Sequence, residues 1–127
     1  YLQAFEPSES ARMIAINLTQ NKVIALRVRE ANNFWQRMRG LLGTKRLEPE
    51  EGLWIPKCQG VHTFGMAFSI YVLHLDHENN VIRLVPNLSP SLCGPVDLKS
   101  ASVLEFPAGT IEKFQIQVGN QFEFSRV

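Results

Sequence analysis

A two-residue hydrophobic period recurring at intervals of roughly ten residues constrains this chain more than any other feature. Ile14, Ile16 and Leu18 alternate with Ala15, Asn17 and Thr19, and beyond Gln20-Asn21-Lys22 the residues Ile24, Leu26 and Val28 alternate again with Ala25 and Arg27. Successive side chains of a strand point to opposite faces, so the two runs predict a β-hairpin. Ile70 to Leu75 is a stronger strand, rich in β-branched and aromatic residues, and His77-Glu78-Asn79-Asn80 reads as a turn into a strand over Val81 to Val85. A charged turn over Glu48 to Gly52 precedes Leu53-Trp54-Ile55, a short apolar run stopped by Pro56. Pro86, Pro90, Gly94 and Pro95 punctuate an irregular loop, and Val103 to Phe106 and Phe122 to Phe124 close the chain as strands. Ala108-Gly109 is a turn, with Thr110 as a cap for a single helical turn before Ile116-Gln117-Val118.

The period changes only once. Phe34, Met38, Leu41 and Leu42 recur at helical spacing, with Asn32 or Asn33 to cap the start and Gly43 to end it; Arg37 and Arg39 lie off that stripe. Many strands and one real helix predict a mainly β fold, a β-sandwich or open barrel with a short helix packed on one face, α+β by strict count. At 127 residues the chain is one domain, spanning 13–127 behind a polar, flexible arm over 1–12 that holds Pro7.

Composition excludes several classes. A hydrophobic fraction of 45% rules out intrinsic disorder, and 13 basic against 12 acidic residues, scattered along the chain, argue against a nucleic-acid partner. Cys58 and Cys93 are the only cysteines and form no CxxC pair, so no disulfide framework is expected. The longest uncharged stretch, Cys58 to Leu75, holds Gln59, His62, Thr63 and His74 and is too polar for a membrane span. No signal peptide is visible in the sequence, which favours a cytoplasmic location.

Cys58 and His62 form the first chemical pair to weigh, because a thiol needs a nearby base to become a nucleophile. In an extended chain they would lie roughly 13 Å apart, but Gly60 permits a turn that joins them. The plainer reading is a buried apolar thiol and a hydrogen-bonded imidazole. Cys58, His62, His74, Asp76, His77 and Cys93 show no recognised ligand spacing, so neither a metal nor another cofactor is expected. By alternation His74 shares a face with Ile70 and Val72, opposite Tyr71, Leu73 and Leu75. Arg39 and Glu105 both sit among apolar neighbours, where a charge requires a partner; an ion pair locking the helix end to the last strands follows. Alternatively Arg39, with His62 and Thr63, forms a polar floor for a small anionic ligand such as a carboxylate. Trp35 and Trp54 could line such a pocket, although aromatics at these spacings are more often core.

Arg39-Gly40-Leu41-Leu42, Cys58-Gln59-Gly60-Val61-His62-Thr63-Phe64-Gly65-Met66, Ile70 to Asp76 and Val103-Leu104-Glu105-Phe106-Pro107-Ala108-Gly109-Thr110, taken together, resemble the domain-of-unknown-function family numbered 192. The resemblance spans nearly all of Met13 to Phe124 and implies a compact, mainly β fold with no established activity. It also implies that relatives are often exported. In that family an Asp usually follows the first Ile of the long strand, where this chain has Tyr71, and Phe often stands at the position of His74.

The chain lacks a phosphate loop, a dinucleotide fingerprint, a nucleophile elbow and a metalloprotease helix. The leading expectation is therefore a non-enzymatic small-ligand-binding or accessory module, with Arg39, His62, Thr63, Met66 and Glu105 as its ligand-binding residues. The alternative is a small hydrolase or transferase with Cys58 as nucleophile and His62 as base. A third is one folded piece of a larger assembly with a protein partner.

Overall fold

The computed structural model describes residues 12–32 and 47–126. Seven strands make one sheet: β1 (Met13–Asn17), β2 (Lys22–Glu30), β3 (Glu51–Pro56), β4 (Ile70–Leu75), β5 (Val81–Leu88), β6 (Ser102–Pro107) and β7 (Phe122–Arg126). A short helix, α1 (Thr110–Phe114), follows β6. The strand order is β5-β4-β6-β3-β2-β1-β7, and every neighbouring pair is antiparallel except β2 with β3. A parallel pair cannot be joined by a tight turn, which accounts for the long separation in sequence between Glu30 and Glu51. The helix expected between Phe34 and Leu42 falls in this connection and lies outside the described residues, as do Trp35, Arg37, Arg39 and residues 1–11.

The sheet curls. Asn80 bridges Gln121 between the two edge strands, Val81 N–H donates to the Asn120 carbonyl at 2.8 Å, and Phe122 N–H donates to the Asn79 carbonyl at 2.9 Å. These bonds draw the edges together at one end without closing a barrel. Met13, Val28, Leu73, Leu104, Phe106 and Phe122, from strands across the whole width, share one buried cluster, which therefore fills the concave side. The second cluster holds Leu53, Ile55, Ile70, Val72 and Val103 from β3, β4 and β6, under Ala31, Leu47, Met66 and Leu88 on the convex side. Tyr71, Leu73 and Leu75 belong to the first and Ile70 and Val72 to the second, as strand alternation requires. Both faces of β4 are covered, so all six of its residues are buried.

Several boundaries differ from the sequence reading for local reasons. The second hairpin strand extends to Leu88 rather than Val85, because β5 is an edge strand, and an edge tolerates the missing N–H of Pro86. The register with β4 slips between Ile70 and Val72, a bulge at Pro86 and Asn87. The charged turn is tighter than Glu48 to Gly52: Glu51 N–H donates to the Glu48 carbonyl at 3.0 Å, Glu50 takes a φ of 71°, and β3 already starts at Glu51. Gly52 fits closely there, since a Cβ would stand 3.0 Å from the Phe106 ring, which would have to shift to admit it. The cap of α1 is Gly109, in the left-handed region at φ 92°, while Thr110 is the first helical residue and its Oγ1 donates to the Pro107 carbonyl at 2.8 Å. Helix and sheet are pinned by Tyr71, whose hydroxyl donates to Glu112 Oε1 at 2.6 Å. The Asp76 turn joining β4 to β5 is held from within, because its Oδ1 accepts the N–H groups of Glu78 and Asn80, each at 2.9 Å.

Candidate functional site

Glu105 stands on the convex face of β6, in register with Leu53 of β3 on one side and Val72 of β4 on the other. It has no exposed surface. A carboxylate among aliphatic side chains is sustained by a countercharge or by several donors, which is what the sequence pairing with Arg39 would supply. Arg39 lies outside the described residues, but the chain leaves the sheet at Ala31 and returns at Leu47, and both are buried in the cluster around Leu53 and Val72.

The His62-Thr63 segment runs antiparallel to residues 91–94. Thr63 N–H donates to the Leu92 carbonyl and Gly94 N–H to the Val61 carbonyl, each at 2.9 Å, so His62 and Cys93 form the closely spaced kind of cross-strand pair. The cysteine facing His62 is thus Cys93, which is exposed, and not Cys58. Cys58 is half-buried and its thiol donates to the Gly60 carbonyl at 3.2 Å. His62 Nδ1 accepts the Phe64 N–H at 3.2 Å and the two rings stack with centroids 4.9 Å apart. Thr63 is fully buried, and its hydroxyl donates to the Ser89 carbonyl at 2.5 Å while accepting the Leu92 N–H at 3.0 Å. Met66 closes this turn, its N–H donating to the Thr63 carbonyl and its side chain buried in the convex cluster. Thr63 and Met66 therefore tie loops together, and both hydrogen-bonding capacities of the Thr63 hydroxyl are spent on backbone.

Elsewhere among the described residues, a cleft of about 490 Å³ opens where the β2 and β6 ends meet α1 and the turn before β3. Ile24, Leu47, Phe68, Phe106, Pro107 and Phe114 give it apolar walls, and Glu50, Glu51, Ser69, Thr110 and Lys113 its polar groups. Lys113 Nζ sits 5.2 Å from the centroid of the Phe114 ring, and Glu51 Oε1 accepts the Glu48 N–H at 2.7 Å. No heavy atom lies within 4 Å of where a Cβ on Gly109 would be, so this residue keeps the wall low. Cys58, His62, Thr63, Met66 and Glu105 do not line this cleft. Sequence reasoning missed it because its walls come from segments remote in the chain. The one usable signal was the run Phe106-Pro107-Ala108-Gly109-Thr110, every residue of which lines it.

Among the described residues no group of three or more His, Cys, Asp or Glu side chains could hold a metal ion, and no helix is long and apolar enough to cross a membrane.

Comparison with known proteins supports the same fold. No curated protein matches the chain. A solved structure from Sinorhizobium meliloti, provisionally described as a transcription regulator, superposes with a TM-score of 0.72 at 21% identity, over 89% of this chain and 92% of that one. A protein of unknown function from Novosphingobium aromaticivorans gives a TM-score of 0.73 at 18% identity, over 88% of this chain and 83% of that one. At such identities the likeness is one of fold. The family model described as DUF192, Uncharacterized ACR, matches residues 15–124, from β1 into β7, so the curled sheet and its loops are those of one family: the chain belongs to DUF192.

Proposed function

We propose that this protein is a non-enzymatic small-ligand-binding module and that the cleft between β2, β6 and α1 is its binding site. The observation that carries the reading is the cleft itself: about 490 Å³, walled mainly by aliphatic and aromatic side chains, with a few charged groups at the edge. Ligand sites characteristically have this volume and this mixture. The ligand would be a small molecule with an apolar body, its polar end near Lys113 and Glu50. Glu105 with Arg39 is read as an internal ion pair, and Thr63 and Met66 as loop ties, so the sequence-derived polar set supports the scaffold. The Cys58 and His62 enzyme reading loses support because the cysteine paired with His62 is Cys93, while the Cys58 thiol donates to the Gly60 carbonyl. The interaction-module reading draws on exposed Leu92, Val96 and Leu98 in the loop that follows β5.

Saturation-transfer NMR with indole, phenylacetate and octanoate as probes tests the cleft. Ala108 is exposed and lines it, so Ala108→Trp fills the space without touching the core. Wild-type protein is expected to bind at least one probe, and Ala108→Trp to weaken it tenfold or more at unchanged Tm. Absence of binding by the wild type, or equal binding by the variant, overturns the assignment.

A further inference from the structure

We propose that His74 makes this fold acid-responsive: protonation of its ring, sealed on the convex face, loosens the 89–101 loop from the sheet. The ring has no exposed surface, and among the described residues neither of its nitrogens has a hydrogen-bond partner. A neutral imidazole tolerates such a setting far better than an imidazolium, which carries a full charge and two donors needing acceptors.

The charges that face the ring come from each packed element. On β5 the register partner of His74 is Arg83, and on β6 it is Val103, with Glu105 two residues along on the same face. From the loop, Asp97 meets Arg83, its Oδ2 accepting from Arg83 Nε at 3.1 Å. At the end of β4, Asp76 is occupied by its own turn. From β3, Ile55 packs beside Val103 and brings no charge. Burial holds the ring's pKa below its ordinary 6.5, Asp97 pulls it up and Arg83 pushes it down. A proton on His74 therefore places a second cation beside Arg83 and sets both in competition for Asp97.

Asp97 is also one of the anchors of the loop, beside the Thr63 contacts at residues 89–92. Its N–H donates to the Gln59 carbonyl at 2.9 Å, its carbonyl accepts the Ser100 N–H at 3.0 Å, and its Oδ1 accepts the Lys99 N–H at 3.0 Å. Drawing Asp97 inward, or admitting water to the charged ring, disturbs these bonds first. Because the folded pKa lies below the unfolded one, the closed arrangement is fully supported above pH 6.5 and is lost as pH falls through the folded value.

Hydrogen exchange on the whole chain tests this. After correction for intrinsic exchange rates, amides of 89–101 are expected to exchange at least tenfold faster at pH 5 than at pH 7.5 while β4 and β6 amides stay protected. In His74→Phe, or His74→Leu should the first fail to fold, the difference should vanish. Persistence of the pH effect in those variants assigns it to His62, His77 or a carboxylate and overturns the proposal. So does unchanged wild-type protection, or a His74 ring that titrates by NMR at or above 6.5.

Discussion

A carboxylate without exposed surface in the middle of an aliphatic sheet face makes the strongest single demand on its surroundings, and Glu105 is that group. Removing its charge is expected to lower stability by about 3 kcal/mol, the order found when one member of a buried pair is lost. In a double-mutant cycle, Glu105→Gln and Arg39→Met should be strongly non-additive; simple additivity in urea unfolding would reject the pair. The burial of Glu105 was legible in the sequence, because Val103, Leu104 and Phe106 surround it with apolar neighbours. The role of Thr63 was not. Its hydroxyl is claimed by Ser89 and Leu92, residues of an irregular loop that no periodicity connects to it.

Among elements, β4 was legible to the residue, since a run of β-branched, aromatic and long apolar side chains fits a strand covered on both faces. The parallel pairing of β2 with β3 was not, because alternation reports faces and says nothing of which strands become neighbours. The clasp between β4 and α1 likewise joins residues 71 and 112, which share no local pattern. Tyr71→Phe deletes a bond to a carboxylate and is expected to cost about 1–3 kcal/mol. The Tyr71 hydroxyl has its pKa raised above 10.0, first by the bond to Glu112 and then by burial. A raised folded pKa means that this contribution is intact below pH 10.0 and declines as pH rises through the folded value. Urea midpoints of wild type and variant should therefore keep a constant gap up to pH 10.0 and converge above it; a gap that stays constant as pH rises past 10.0 would contradict the sign.

For the whole molecule, curvature depends on contacts made by the turns beyond the strand ends. Asn17 Nδ2 donates to Asn120 Oδ1 at 3.0 Å inside the protein, and the same oxygen accepts the Gln117 N–H at 3.0 Å. Asn120→Ala leaves both donors without that acceptor and should lower the urea midpoint by an amount equivalent to about 2–4 kcal/mol. Its denaturant slope should match that of the wild type, because the unfolding unit remains the whole sheet. A shallower slope would mean that β7 and β1 separate on their own. The cleft also belongs to this scale, since it exists only once β2, β6, α1 and the turn before β3 have come together.

A sheet that stops short of closure leaves two rims whose unpaired amides could template fibres. On one rim Pro86 lacks an amide hydrogen and the adjoining bulge throws Asn87 out of step, while Arg83, paired with Asp97, leaves a charged side chain half-exposed at the edge. On the other, exposed Glu123 and Arg126 flank the partly covered Phe124 and Ser125 in a strand of only 5 residues. Each rim is thus insulated by a different device, and the molecule can keep an open seam without inviting its own copies to polymerise along it.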